Sequence, residues 1–215
     1  MGLKKRLSLK EFSELTYWRL IKLFKKTFSN AHYKYFYTDY FSLRDDFYKD
    51  KTILDIGCGP RGSLEWASMC RERIGIDPLA DKYGDLRKEK HEMSYVKGYV
   101  ENIPFPNDYF DVISSFNSLD HVENIKAACN EIKRCLKTGG IFLLIVDIHN
   151  LPTLTEPQTI QWSFIMDNFL DFEIVSEVRL ECVHRNKIYR NLRINRKIEG
   201  EEKSRGVLTA KLKKR

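Results

Sequence analysis

The stretch from residue 51 to 67, KTILDIGCGPRGSLEWA, constrains the fold of this chain more than any other. It opens with an apolar run at 53–56, which is typical of a short strand covered on both faces. Three glycines follow with G-x-G-x-x-G spacing: Gly57, Gly59 and Gly62. Such a turn brings bare backbone close to a ligand, and a helix beginning near Gly62 would direct free N–H groups at the same point. The stretch predicts a nucleotide-type site at the carboxyl end of a first parallel strand.

Two acidic residues refine this prediction. Asp55 lies two residues before the first glycine, where a dinucleotide-binding fold more often has an apolar residue or glycine. Its carboxylate would repel a pyrophosphate but suits a cationic ligand. Asp77 ends a second apolar run at 73–77, about twenty residues after Gly57, and is placed to accept hydrogen bonds from both hydroxyls of a ribose.

Four motifs carry a family resemblance: DIGCGPRG, GIDP, ENIPFPNDYFDVISS and LKTGGIFLLIV. In this order and spacing they closely resemble the class I S-adenosylmethionine-dependent methyltransferases, in particular their small-molecule type with a domain of the Methyltransferase 11 kind. The resemblance covers 51–146, and an ordinary NAD-binding domain is the main alternative. It implies an enzyme that uses S-adenosyl-L-methionine. It also implies an α/β fold: a Rossmann-like, seven-stranded, mostly parallel sheet with an antiparallel C-terminal hairpin and helices on both faces.

The resemblance, together with position, marks nine residues as candidates for cofactor binding. They are Asp55, Gly57, Cys58, Gly59, Asp77, Pro78, Val100, Glu101 and Asn117. We expect the backbone of Gly57 and Gly59 to approach the methionine and ribose portions, and Asp77 to accept from the ribose hydroxyls. Asp55 is expected to orient the amino-acid end, and Asn117 to meet the methionyl amino group.

The adenine contact departs from the family pattern. Members of the family commonly have an Asp at the position of Tyr99. Here the Tyr99 ring can stack on the base, its hydroxyl can bond to it, or Glu101 can substitute for the missing acid. Val100 and Glu101 are placed near the adenine in each of these interpretations.

Candidate catalytic residues are His121 and His149, because they are the histidines on loops at the expected ligand edge. Histidine can accept a proton near neutral pH. A helix-cap or supporting role is the alternative for His121. A set of Asp120, His121 and Asp147 has no clear metal-ligand spacing, so we expect no metal site.

The region before the first strand has two parts. Residues 3–28 read as an amphipathic helix, with Leu7, Leu15, Trp18, Ile21 and Phe28 able to share a face. This helix is either a lid or membrane-surface element, or a helix packed on the body; the latter is slightly favoured. Residues 30–48 are dense in aromatics, which either enclose a ligand or pack on the sheet.

Periodicity places the remaining elements and the boundaries. Strands are predicted at 74–76, 93–97, 110–116, 141–146, 172–180 and 187–194. Helices are predicted at 62–70, 81–91, 123–136, with Asp120 or His121 near its cap, and 160–169. The predicted organisation is an N-terminal helix and aromatic cap at 1–50, the methyltransferase domain at 51–198 and a basic mobile tail at 199–215.

Charge bears on the partners. Of a net charge of +7, residues 1–30 contribute +6 and residues 179–215 contribute +9, so the remainder carries −8. Basic ends can meet RNA, anionic lipid or an acidic acceptor. We expect a small-molecule, glycan or lipid-linked acceptor. The alternatives are an RNA- or protein-directed methyltransferase, although an N-P-P-Y loop is absent, and a non-catalytic cofactor-binding subunit.

Five scattered cysteines suit reduced thiols and a cytoplasmic protein. The N-terminal sequence has no continuous apolar segment of a secretory signal. No apolar run is long enough to span a bilayer. Contact with a membrane would therefore be peripheral, through the N-terminal helix.

Overall fold

The computed structural model describes residues 9–24, 31–86, 90–153, 156–199 and 203–215. Its strands are β1 (Thr52–Ile56), β2 (Glu72–Asp77), β3 (Ser94–Lys97), β4 (Phe110–Phe116), β5 (Leu136–His149), β6 (Phe172–Glu181) and β7 (Arg205–Lys214). Its α-helices are α1 (Leu9–Phe24), α2 (Lys34–Tyr37), α3 (Ile125–Cys135), α4 (Phe164–Asn168) and α5 (Ile188–Ile194).

The strands form one mixed sheet in the order β3-β2-β1-β4-β5-β7-β6. Strands β1 to β5 pair in parallel, which brings the carboxyl ends of β1, β2 and β4 to one edge. Strand β7 lies antiparallel between β5 and β6. The order reverses direction at β1 and β4, and ligands bind at such switch points in open α/β sheets. The predicted fold class is confirmed.

The sheet is apolar on both faces because both faces are covered. Every residue of β1 is buried, as the short apolar run predicted. On one face, α3 packs through Ala128, Ile132 and Cys135. The helix begins after Asn124, whose side chain accepts from the Ala127 N–H at 3.0 Å. The prediction of Asp120 or His121 as the cap is therefore wrong.

The described part of the aromatic segment, 31–48, covers much of the other face. Phe36, Phe41 and Tyr48 are buried in a second core that also contains Ile188 and Leu192 of α5. The interpretation of this segment as packing on the sheet is thus confirmed for most of its rings. It takes the place of a regular helix on that face.

Two predicted helices, at 62–70 and 81–91, are wrong for the described residues. The first is a series of three-residue turns, in which the N–H of residues 65, 67 and 70 bonds to the carbonyl three residues earlier. Side chains hold these turns: both carboxylate oxygens of Glu65 accept from the backbone of Glu92 and Met93. The second contains short 3-10 turns at Ala80–Lys82 and Gly84–Leu86, and residues 87–89 lie outside the described part.

The C-terminal region also differs from the prediction. Of the strand predicted at 187–194, residues 188–194 form helix α5, and only 164–168 of the predicted helix at 160–169 are helical. The seventh strand comes from 205–214, which we predicted as part of a mobile tail. Residues 206–210 are buried in a row, but the charged residues on either side of them gave the region the composition of a solvated tail. The domain boundary at 198 is therefore wrong.

Helix α1 confirms the predicted N-terminal helix over 9–24, while Leu7 and Phe28 lie outside the described residues. It packs through Leu15, with Trp18 and Ile21 beside it, against Leu79 and Tyr83. This contact lies beyond the carboxyl end of β2, so α1 covers the expected ligand edge. Within the described residues, no helix has the length and apolar character needed to cross a bilayer.

Candidate cofactor and acceptor site

Gly57 occupies the point where three strands meet. It has a φ of +69°, and its N–H donates to the Ile76 carbonyl at 2.9 Å. A Cβ at this position would lie 2.4 Å from the Cβ of Ser118. The Ser118 hydroxyl in turn donates to the Ile56 carbonyl at 2.9 Å. Only glycine fits this backbone and this space, so the turn presents bare backbone to the cleft.

Gly59 lies under helix α1. A Cβ at Gly59, where φ is +57°, would lie 3.1 Å from the indole ring of Trp18. The Gly59 N–H donates to Asp77 Oδ2 at 3.1 Å. The glycine turn is thus hydrogen-bonded to the end of β2 on one side and covered by the N-terminal helix on the other.

Asp77 organises the end of β2. Its Oδ1 accepts from the Leu79 N–H and the Tyr83 hydroxyl, both at 2.9 Å. Burial raises the pKa of the carboxyl to about 6, and the nearby Glu14 adds to the rise. Asp77 still lines the cleft, and its Oδ2, which accepts one bond from Gly59, keeps a second lone pair for a further donor.

Asp55 lies deeper and is already bonded. Ser63 donates to its Oδ2, and Ser114 donates to its Oδ1 at 2.7 Å. Burial raises the pKa of this carboxyl to about 6 as well. The carboxylate therefore ties the glycine turn to β4 as well as facing the cleft.

The adenine end contains the residues around Tyr99. Val100 is buried in a 3-10 turn, and Glu101 Oε1 accepts from the backbone N–H of Glu123 at 2.8 Å. Glu101 thus caps the segment leading into α3 in addition to lining the cleft. The Tyr99 hydroxyl donates to Glu11 of α1 at 3.1 Å. Helix α1 is therefore tied to both ends of the predicted cofactor site.

All the predicted site residues line one cleft of about 1800 Å³. They are Asp55, Gly57, Cys58, Gly59, Asp77, Pro78, Val100, Glu101, Asn117, His121 and His149. Cys58 contributes chiefly backbone, because its side chain packs directly on Gly75 of β2. Asn117 follows β4 with a φ of +56°, and its N–H donates to the Ile145 carbonyl at 2.7 Å. The candidates chosen by the family resemblance and by position thus lie around one cleft.

The two histidines line the same cleft. His121 is partly exposed, and its Nε2 lies 3.9 Å from Oδ1 of the buried Asp120. His149 is the last residue of β5, and its Nδ1 lies 2.9 Å from the carbonyl of Leu151. A carbonyl only accepts, so Nδ1 carries a proton and Nε2 of the neutral ring carries the lone pair.

Acidic groups surround His149. Burial, with the charges of Asp120 and Glu156, raises the pKa of Asp147 to about 7, and Arg205 opposes the rise. The histidine at the end of β5 therefore faces a region of concentrated negative charge, which favours cationic groups.

Sequence reasoning missed several cationic residues of the cleft. Arg61 is only 6% exposed and lies beside Tyr33, although its place inside the glycine turn was visible in the sequence. Arg185, Arg190 and Arg205 also line the cleft. Sequence periodicity did not place them there, because α5 was predicted as a strand and β7 as a tail.

Comparison with known proteins defines the class. Residues 54–144 match the family model of a methyltransferase domain, Methyltransf_11. Together with the fold and the glycine-turn site, this match identifies residues 54–144 as a methyltransferase domain of the class I S-adenosylmethionine-dependent type. S-adenosylmethionine is the cofactor of this class, and the site fits it: Gly57 and Gly59 leave room for close approach, and Asp77 lies at the end of β2.

Two relatives show how far the sequence similarity extends. The "Uncharacterized methyltransferase YcgJ" of Bacillus subtilis is 31% identical over 43% of this chain and 39% of its own length. A sterol 24-C-methyltransferase of Pneumocystis carinii is 27% identical over 48% of this chain and 29% of its own. The sequence matches to these relatives therefore span well under half of their lengths.

Solved structures extend the likeness of fold to the whole chain. The crystal structure of YcgJ superimposes with a TM-score of 0.57 over 82% of this chain and 99% of that one, at 17% identity. The partner of a methyltransferase activator from Haloferax volcanii superimposes with a TM-score of 0.65 over 98% of this chain and 99% of that one, at 12% identity. At such identities the likeness concerns the fold alone.

Proposed function

We propose that this protein transfers a methyl group from S-adenosylmethionine to a small acceptor, free or lipid-linked, that carries an anionic group and enters the same cleft. The observation that carries the proposal is the continuity of the cleft. It runs from the glycine turn to Arg185 and Arg190, and its volume of about 1800 Å³ exceeds the roughly 300–1,000 Å³ of an ordinary ligand pocket. The cleft has room for a cofactor and an acceptor together.

When bound, the cofactor supplies an activated methyl group on a sulfonium, so transfer is a direct displacement. The protein has to orient both partners and exclude water. The glycine turn and Asp77 fix the cofactor end. Trp18 of α1 covers the turn, and Tyr33 and Tyr37 close the side formed by the aromatic segment. Asn117 lies between the two ends of the cleft.

The charge of the acceptor end supports an anionic acceptor. Arg185 and Lys187 precede α5, Arg190 lies in its first turn, and Arg205 begins β7; all four line the cleft. Arginine pairs bidentately with carboxylate and phosphate. A carboxylate or phosphate on the acceptor would offset this charge and fix the direction in which the acceptor enters.

The outer face of α1 supports an acceptor with an apolar part. Leu9, Phe12, Leu20, Leu23 and Phe24 are exposed on a helix whose other side lines the cleft. Exposed apolar patches of this kind mark contact with a lipid or a partner. Similarity to a sterol 24-C-methyltransferase points to the same class of acceptor.

His121 is our candidate for the general base if the acceptor is a hydroxyl. It lines the cleft, is partly exposed, and has the Asp120 carboxylate 3.9 Å from its Nε2. A carboxylate beside an imidazole orients the ring and stabilises its protonated form. We expect His121→Gln to lower kcat by roughly 10²- to 10⁴-fold and to remove the acidic limb of the pH profile of kcat. The affinity for S-adenosylhomocysteine should not change.

The proposal is tested by methyl transfer from S-adenosylmethionine with a labelled methyl group. Aqueous small molecules, organic-solvent extracts and RNA are offered separately. We expect label in one of the first two fractions. In that fraction, Arg185→Gln with Arg190→Gln should lower kcat/KM by about tenfold or more without changing S-adenosylhomocysteine affinity, as expected for the loss of a charged contact.

Two results would replace this proposal. Label in RNA, with retention on RNA that weakens steeply with salt, would assign the basic residues to a nucleic acid. Tight binding of S-adenosylhomocysteine with no label in any fraction would favour a non-catalytic cofactor-binding subunit.

A further inference from the structure

Three metal-ligating side chains meet at the acceptor end of the cleft. Asp120 lies in the 3-10 turn Leu119–His121 after β4, His149 ends β5, and Glu156 lies in the following loop. One ligand atom from each lies within 4.8 Å of the other two. This trio differs from the set of Asp120, His121 and Asp147 weighed from the sequence.

Two members of the trio have buried polar atoms with no hydrogen-bond partner among the described residues, although Oδ1 of Asp120 lies 3.9 Å from Nε2 of His121. Asp120 is 0% exposed, and neither of its carboxylate oxygens accepts a hydrogen bond from any described residue. Nε2 of His149, a residue only 6% exposed, likewise has no hydrogen-bond partner in the described part of the chain. Buried polar groups are costly when unpaired and are normally satisfied by a partner or by a metal.

The orientation of His149 suits a metal ligand. Its Nδ1–H donates to the Leu151 carbonyl, which leaves the lone pair of the buried Nε2 available to a ligand. Metal-ligating histidines almost always make such a hydrogen bond from their second nitrogen. The same bond fixes the ring, so the ligand atom is already in position.

The carboxylates around His149 also favour a bound cation. Asp120, Asp147 and Glu156 concentrate three carboxylates around His149. Among the described residues, the cationic groups that act on them include Arg205 and, when protonated, His121 and His149. A divalent ion would offset the excess negative charge.

We propose that Asp120, His149 and Glu156 bind one divalent first-row transition-metal ion. One imidazole nitrogen and two carboxylates form a mixed nitrogen and oxygen set, which suits Zn²⁺ or Mn²⁺ better than the all-oxygen cages of Ca²⁺. Binding of the ion does not depend on the proposed function. The role of the ion does depend on the proposed function, because at this position the ion would hold an oxygen of the anionic acceptor.

The test is calorimetric titration of the full chain with Zn²⁺ and, separately, with Mn²⁺, after treatment with EDTA and dialysis. We expect one equivalent of at least one ion to bind the wild type and to raise its Tm. His149→Gln, Asp120→Asn and Glu156→Gln should each weaken binding by at least about tenfold. His184→Gln and Glu173→Gln, which change the same residue types outside the cleft, should bind as the wild type does.

Circular dichroism establishes that each variant is folded. If Asp120→Asn does not fold, the variants His149→Gln and Glu156→Gln are enough to test the site. The proposal is overturned if the folded wild type binds neither ion, or if the three variants bind as tightly as the controls. S-adenosylhomocysteine is titrated into the same samples. Unchanged cofactor binding with no metal binding would reject the metal site and leave the proposed methyl transfer standing.

Discussion

Single residues at the glycine turn fix the shape of the site. At Gly57 a side chain would meet Ser118 at 2.4 Å on a backbone with positive φ. We expect Gly57→Ala to lower the free energy of unfolding by about 2 kcal/mol or more and to abolish binding of S-adenosylhomocysteine. Urea denaturation and calorimetry measure the two effects.

Gly139 supplies the matched control, because it also has a positive φ, +77°, but a Cβ there would have nothing within 4 Å. Gly139→Ala should therefore show the backbone strain alone and keep cofactor binding. Equal losses in the two variants would mean that the contact with Ser118 contributes nothing.

The buried carboxyl of Asp55 makes stability depend on pH. Its pKa of about 6 lies above the ordinary value of 3.8, so the folded state binds the proton more tightly than the unfolded state. This contribution to stability is fully present below the unfolded pKa and is lost as pH rises through about 6. Relative to Asp55→Asn, the wild type should gain about 2 kcal/mol between about pH 7 and about pH 4. Urea denaturation at both pH values measures this gain, and a constant difference would contradict a raised pKa.

For single residues, the sequence predicted which side chains lie in the cleft, but it did not predict the groups to which those side chains are hydrogen-bonded. Asp77 and Asn117 follow apolar runs, and strand ends share an edge, so their place in the cleft was predictable. The bonds that occupy these groups come from elsewhere: Tyr83 donates to Asp77, and Glu101 caps the approach to α3. A spacing rule contains no information on such contacts, because they depend on loops folding back on the sheet.

Among the elements, α1 is attached to the body by a small separate core and is therefore the most easily opened. Leu15 is its buried contact with Leu79 and Tyr83. We expect Leu15→Ala to increase hydrogen exchange across 9–24 without changing exchange in β4. Leu20→Ala, on the exposed face of the same helix, should leave exchange unchanged. Equal exchange in the two variants would contradict the packing of α1 on this cluster.

Strands were more predictable than helices in this chain. The runs in β1, β4 and β5 are apolar on both faces and could be read directly. The segment at 62–70 has the length of a helix, but Ser63 bonds to Asp55 and Glu65 bonds to the backbone before β3. These long-range bonds stabilise successive turns in place of a helix.

At the scale of the whole molecule, the last residues of the chain complete the sheet. Strand β7 lies between β5 and β6, and Leu212 within it is fully buried. We expect Leu212→Ala to lower the free energy of unfolding by about 2–5 kcal/mol, and Lys213→Ala, on the exposed side, to change it by less than about 0.5 kcal/mol. Urea denaturation compares them, and equal small effects would restore the interpretation of this segment as a mobile tail.

The distribution of charge acquires a structural meaning from the same strand. Basic residues of β7 contact the rest of the protein. Arg205 lines the cleft, and Lys214 donates to the carbonyls of Lys133 and Leu136 at 2.8 and 2.6 Å. Composition predicted that this region is positively charged. It did not predict where the basic residues lie, because their location depends on β7 inserting into the sheet.

The central claim is that the cleft at the glycine turn binds S-adenosylmethionine through Asp77. Calorimetric titration with S-adenosylhomocysteine, on the wild type and on Asp77→Asn, tests it most directly. The account predicts one molecule bound per chain and an affinity at least about tenfold lower in the variant, since hydrogen bonds to a charged group are lost. A folded wild type that does not bind, or a folded variant that binds equally well, would contradict it.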